Sequence, residues 1–395
     1  MRNAIAVMNT KGGVGKSTLV LALAETLSSQ YRKNVLVIDS DAQASVSSML
    51  MTPTNLSKLQ ADGLTIVDYL VATVLHGQPT EWPRFVVRGV SDVDDARTVF
   101  LVPSDMQLTL FEREVSREAL HGRLRTAIAT MLKQVREVFD VVLIDCPPGL
   151  SVLTESWLRE ADFHVSPTKA DYISACGLEV FRRFKALNPE MGFAENLGVL
   201  VTMKDKSSPI EDEYHHWLAA NPENRCFSRA IPRMTAMQDA ARFQTIERSY
   251  AAKYPGEAGA AMRELTTELM SRLDAAKAAA PKVQAAPAVA PVAAPVQAPQ
   301  HRSAPPAASP SPAAGLAPQQ PAPVQARVVA AQPVRAAPAT ARPQADLAVT
   351  TAAIRAAVAA PAAPSLTPSV RAQATSPTPP VGGTTPPPLP AKSQV

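Results

Sequence analysis

Cysteine is scarce: Cys146, Cys176 and Cys226 are the only three, and no two form a C-x-x-C pair. An odd, scattered set excludes a disulfide framework and a thiolate-held zinc or iron–sulfur centre, so free buried thiols are expected. Aromatic residues make up 5% of the chain, and between Ala278 and Val395 there is no Phe, Trp or Tyr. Those 118 residues hold 25 of the 37 prolines. Alanine and proline bury little area each, so an ordering cost of roughly 1–2 kcal/mol per residue is not offset, and the stretch reads as a disordered tail. No apolar run reaches the ~18 residues a bilayer span needs. The first apolar run meets Lys11-Gly12-Gly13 too soon for a signal peptide. A soluble, cytoplasmic protein is expected.

Charge divides where composition does. The tail carries eight basic residues and one acid, Asp346, a net of +7, whereas the first 277 residues carry 31 basic and 34 acidic groups, a net of −3. The sequence pI of about 9.0 is therefore a property of the tail and does not mark the rest as a nucleic-acid binder. The expected organisation is one globular domain, residues 1–277, followed by the Ala/Pro-rich basic tail, 278–395.

Within the globular part, strand-length apolar runs recur at Ala4–Met8, Val35–Ile38, Val99–Val102, Val141–Ile144, Phe163–Val165 and Leu197–Val201. Strands apolar on both faces and separated by amphipathic stretches predict a doubly wound, mostly parallel α/β sheet with helices on both faces. Apolar spacing of three and four predicts helices over Leu19–Leu27, Leu120–Val138 and Met262–Leu273. Met51–Asp95 is the least regular part and reads as a helical insertion with loops.

The first strand, a glycine-rich turn over Asn9–Ser17 and a helix from Thr18 follow one another directly. That order aims backbone N–H groups and a helix N-terminus at one point, which is how a chain binds phosphate. Gly12, Gly13 and Gly15 allow close backbone approach around Val14, Lys16 is placed to neutralise β/γ-phosphate charge, and Ser17 and Thr18 open the helix, the Ser17 hydroxyl being suited to a Mg²⁺ shell. The ordinary G-x-x-x-x-G-K-[ST] pattern needs glycine at position 10, where this chain has Thr10, and a second lysine, Lys11, stands beside it. Downstream, Val35–Ile38 leads into Asp39-Ser40-Asp41-Ala42-Gln43, and Val141–Ile144 into Asp145-Cys146-Pro147-Pro148-Gly149. A carboxylate at a strand's carboxyl end beside a phosphate loop is where a metal-bound water needs an acceptor.

K-G-G-x-G-K-[ST] at Lys11–Ser17, D-x-D-x-Q at Asp39–Gln43 and D-x-P-P at Asp145–Pro148 together resemble the ParA/MinD family of deviant Walker A ATPases. Looser likenesses, Val201-Thr202-Met203-Lys204-Asp205 and Ile231-Pro232-Arg233, extend the resemblance to about Leu273. It implies a P-loop NTPase fold, ATP with Mg²⁺, and a nucleotide-sandwich homodimer in which Lys11 reaches the partner's ATP. It further implies that Asp41 orients or activates water, that Asp39 and Asp145 lie near the Mg²⁺ shell with Ser17, and that Gly149 belongs to a second switch. Ala42 departs from the family's proline.

The output implied is that of a ParA-like ATPase, slow and partner-stimulated, which binds DNA non-specifically and positions a chromosome, plasmid or other cargo. A ParB-like protein or cargo adaptor would be its partner and the nucleoid its location. Arg229, Arg233, Arg242 and Arg248 are candidate DNA contacts, with a solvated, ion-paired face as the alternative. The competing MinD-like membrane-surface switch needs a C-terminal amphipathic helix, and Thr384–Val395 offers only Leu389 and Val395 as bulky apolar residues. A tyrosine-kinase output needs a tyrosine cluster in the tail, and a cluster-holding reductase needs paired cysteines. The Pro386–Pro390 run reads either as a polyproline ligand or as linker.

Overall fold

The computed structural model describes residues 3–279. The expected tail lies outside the described residues except for its first two positions, which extend the last helix. Seven strands form one sheet: β1 (Asn3–Val7), β2 (Val35–Asp39), β3 (Val87–Arg88), β4 (Val99–Val102), β5 (Val141–Asp145), β6 (Phe163–Thr168) and β7 (Glu195–Val201). Their spatial order is β3-β4-β2-β5-β1-β6-β7, parallel throughout except for β3 against β4. The six strands read from the sequence are the six parallel ones. The two-residue β3 was missed, because an antiparallel edge pair needs no apolar run.

Twelve α-helices cover the sheet: α1 (Lys16–Tyr31), α2 (Ser45–Leu50), α3 (Pro53–Ala61), α4 (Ile66–Leu70), α5 (Leu108–Val115), α6 (Glu118–Val135), α7 (Val152–Glu160), α8 (Tyr172–Leu187), α9 (Pro209–Ala220), α10 (Thr235–Ala240), α11 (Tyr250–Lys253) and α12 (Glu257–Ala279). Strand side chains alternate between the faces. Ile5, Val7, Val37, Leu101 and Leu143 meet α1, α2 and α12, while Ala4, Ala6, Leu36, Phe100 and Val142 meet α4 to α7. A smaller cluster packs α8 and α9 on β7 through Leu178, Val199, Val201 and Leu218. The segment expected as a helical insertion contains α3, α4, a π turn at Val71–Leu75 and a 3-10 turn at Trp82–Phe85.

The helix-rich character of α1 is not amphipathic. Lys16 and every residue from Leu19 through Ser28 are buried, because the sheet lies on one side and α2, α11 and α12 on others. Such a helix is held on all sides.

Candidate functional site

The carboxyl ends of β1, β2, β5 and β6 converge on the loop Asn9–Gly15. In the register of the sheet Val7 lies opposite Asp145, and Asp145 opposite Asp39. The loop is fixed by its own chain and by its neighbours. Asn9, 1% exposed, accepts from the Lys11 amide at 2.8 Å and donates to the Pro167 carbonyl at 2.7 Å. The Thr10 hydroxyl reaches the Gly177 carbonyl at 3.2 Å. On the other flank the Thr202 hydroxyl lies 2.8 Å from the Val14 carbonyl and 3.1 Å from that of Thr168. Gly15 enters α1 at φ 82°, a left-handed conformation that glycine adopts without strain.

The two lysines have different settings. Lys16 is buried and donates to the Lys11 carbonyl at 3.3 Å. Burial lowers its pKa, an effect that the charges of Asp145 and Asp41 partly offset. Lys11 stands at the rim with its side chain 31% exposed, 3.3 Å from the Asp171 carboxylate and 3.1 Å from the Ser174 hydroxyl. Partial burial works to raise the Asp171 pKa, but the Ser174 amide and hydroxyl and the Lys11 ammonium hold it below the usual range.

Three carboxylates face this loop. Asp39 accepts from the Ser47 hydroxyl at 2.6 Å and amide at 2.9 Å with one oxygen, and from the Asp41 amide at 3.2 Å with the other. Its burial pushes its pKa up to about 6 against those donors. Its side chain thus anchors α2, a duty the sequence did not disclose. Asp145 is fully buried beside the Ser17 hydroxyl, with no hydrogen bond of ordinary geometry to either oxygen among the described residues. Burial and the neighbouring charge of Asp39 hold its carboxyl well above the usual range. Asp41, half-buried, closes a tight turn: its Oδ1 accepts from the Gln43 amide at 2.9 Å and its carbonyl from the Ala44 amide at 2.9 Å. Ala42 packs on the sheet beneath.

Beside the loop is a cleft of about 230 Å³ walled by Gly15, Thr18, Met203, Pro232, Arg233 and Met237. Thus Lys11 to Thr18, Asp39, Asp41 and Asp145 gather at one sheet edge. Gly149 has φ 94° in the turn before α7. Asp171 and Ser174 escaped the sequence reading, which named Asn9 only as the start of the turn and Thr202 only within a looser likeness. The one signal available was the D-x-x-S pair that caps α8, where Asp171 accepts from the Ser174 amide at 2.7 Å.

Two further sets of residues named from the sequence are placed by the fold. Arg248 is tied to buried Asp92 at 3.0 Å, and Arg229, one-third exposed, is paired with Glu257 and Glu264. Arg233 and Arg242 are exposed, and Glu247 pairs with Arg97. Of the thiols, Cys146 is buried and Cys226 half-buried, but Cys176 is exposed because it lies on the outer side of α8.

A buried loop lysine opening an all-round buried helix, with aspartates ending β2 and β5 beside it, is the arrangement of a P-loop nucleotide hydrolase. Residues 2–191 match an AAA domain family. The chromosome-partitioning ATPase Soj of Thermus thermophilus is 30% identical over 278 residues, covering 69% of this chain and 97% of Soj. An uncharacterized protein of Mycobacterium tuberculosis is 31% identical over 206 residues, 51% of this chain, and this chain spans 58% of that relative's length. The crystal structure of cobyrinic acid a,c-diamide synthase from Mycobacterium smegmatis with bound ADP and magnesium superposes with a TM-score of 0.54. It is 25% identical, and the match covers 70% of this chain and 97% of that one. The chain belongs to the ParA/MinD family of deviant Walker A ATPases.

Proposed function

We propose that this chain is an ATP-dependent dimerising switch that binds DNA without sequence preference and positions or segregates a cargo. The observation that carries the reading is the contrast between the two loop lysines. Lys16 is buried within its own loop, where it meets the phosphates of the nucleotide bound in cis. Lys11 stands at the rim, one-third exposed, and among the described residues its ammonium meets Asp171 and Ser174. A cation in that position is available to a polyphosphate held by a second copy, which makes ATP part of the dimer contact.

Ser17 and Asp145 would hold Mg²⁺, directly or through water; two buried carboxylate oxygens beside the Ser17 hydroxyl, next to a second raised carboxyl, are what a divalent cation relieves. Bound there, the ion would neutralise phosphate charge. Lys16 and the amides of Gly12 to Thr18 cradle the β- and γ-phosphates, and Asp41 on its hydrogen-bonded turn orients the attacking water. The methionine-walled cleft takes the base. The name of the Thermus relative supports chromosome partitioning as the output, and Arg233 and Arg242 are the arginines left for DNA.

The test compares binding of residues 1–279 and of the full chain to DNA of arbitrary sequence, with ATP and with ADP. ATP should strengthen binding, because a dimer doubles the phosphates contacted and steepens the salt dependence by about 0.9 per added contact. Lys11→Ala should abolish the ATP effect. Binding that ignores the nucleotide, or that vanishes with the tail, would remove DNA from the function; ATP-dependent binding to anionic vesicles would replace it with a membrane output.

A further inference from the structure

Beneath the second half of α8 a cavity of about 380 Å³ lies against the amino ends of β6 and β7, at the edge of the sheet opposite the phosphate loop. Its apolar walls are Leu178 and Phe181 of α8 and Val199 of β7. In the register of the two strands His164 lies opposite Asn196, and Asn196 donates to the Glu223 carbonyl at 2.9 Å, which fixes the turn Pro222–Asn224 as the cavity's rim. Concave spaces of this size, mostly apolar with a few polar groups, are where proteins take small molecules.

One charge in this cavity is unbalanced. Lys185 is half-buried, which lowers its pKa, and among the described residues it makes no ion pair. The carboxylates around it are taken: Arg182 holds Glu179 and Glu223, and Arg225 holds Glu195. An ammonium has three protons to place. One goes to the Ala194 carbonyl at 3.0 Å, and His164 Nε2 is 3.5 Å away. The Lys185 ammonium also lies 5.8 Å from the Phe181 ring centroid. A cation withdrawn from water without a counter-ion is costly, and a bound anion relieves it. Beside it His164, 3% exposed, packs on Phe181 at 5.4 Å, and burial together with the Lys185 charge keeps its imidazole neutral. Its Nδ1 meets no partner among the described residues.

We propose that this cavity binds a small organic carboxylate, its charge on Lys185 and its apolar body between Leu178, Phe181 and Val199. A single negative charge matches the one cation without a counter-ion. A phosphate group carries more charge and needs a second such cation, whereas Arg182 is already paired with two acids. The site is separate from the nucleotide's, yet one helix serves both: Asp171, which caps α8, and Ser174 in its first turn hold Lys11, and Lys185 stands in its last turn.

Saturation-transfer NMR of sodium hexanoate with the full chain tests this, in the presence of Mg²⁺ and an excess of a non-hydrolysable ATP analogue that keeps the probe out of the phosphate loop. Hexanoate should bind saturably, and hexan-1-ol and hexylamine about tenfold more weakly or worse, since neither brings a negative charge to Lys185. Lys185→Met should lose the preference for the acid. Ala186→Trp, at an exposed position on the cavity wall, should abolish binding with the lysine still in place. Both variants should keep wild-type affinity for the nucleotide, which shows that they fold. Equal binding of acid and alcohol, an undiminished hexanoate signal in either variant, or no saturable signal in the wild type would overturn the proposal. Hexanoate displaced in step with added nucleotide would overturn it too, by assigning the acid to the phosphate loop.

Discussion

At the residue scale, neighbouring lysines five positions apart in one loop differ in what surrounds them. Lys16 is buried beside Asp145 and Asp41, with one carbonyl as its hydrogen-bond partner. Its charge has no full counter-ion until a polyphosphate arrives, so Lys16→Ala should remove nucleotide binding that the loop amides alone cannot sustain. Isothermal titration with ATP and Mg²⁺ checks this, and wild-type affinity would refute the assignment. The identity of Lys16 was legible because the glycine spacing is a local property. The duties of Asp39 and Asp171 were not legible: each depends on partners, Ser47 for one and Lys11 for the other, that the fold brings together.

At the element scale, α1 carries the loop and is pinned from behind by charges. Glu25 on α1 accepts from Lys253 of α11 at 2.7 Å and from the Tyr254 hydroxyl at 2.6 Å. Lys253 also meets Asp92 at 2.5 Å, and Asp92 in turn holds Arg248. Glu25, Asp92 and Lys253 are all essentially without solvent contact. Removing one member of a buried network leaves uncompensated charge, so Lys253→Met should cost about 3–5 kcal/mol. Urea unfolding of the variant gives that number, and a loss below ~1 kcal/mol, the value of an exposed pair, would show that the network is not coupled. In the sequence the four residues are spread from 25 to 253 and resemble ordinary surface charges.

At the scale of the whole molecule, stability should depend on pH through His164 at the start of β6. Burial, helped by the nearby charge of Lys185, depresses its pKa to about 3. An unfolded chain protonates this histidine below about 6.5 while the folded chain does not, so the unfolded state binds more protons between those values. The stability present above pH 6.5 is therefore lost as pH falls towards 3, by roughly 2 kcal/mol between pH 7 and pH 5 from this group alone. Urea denaturation at pH 7 and pH 5 should show that loss in the wild type, and His164→Phe should flatten it relative to the wild type. An identical slope in both proteins would assign the dependence to other groups.

Legibility follows the range of the interaction. Strand runs, the glycine loop and the aspartates that end β2 and β5 are written in contiguous residues, because a buried parallel strand must be apolar on both faces and a phosphate loop needs glycine and lysine at adjacent positions. The sequence by itself therefore determined the parallel strands, the family and the glycine loop. Only the tertiary structure decided which charges are free. It gives Asp39 to α2, Arg229 and Arg248 to ion pairs, and Lys11 to Asp171. It buries Asp145 beside Asp39 and Ser17. Whether a charge is spent or available depends on what lies within a few ångströms of it, and in a doubly wound fold those neighbours come from strands and helices far apart in the chain.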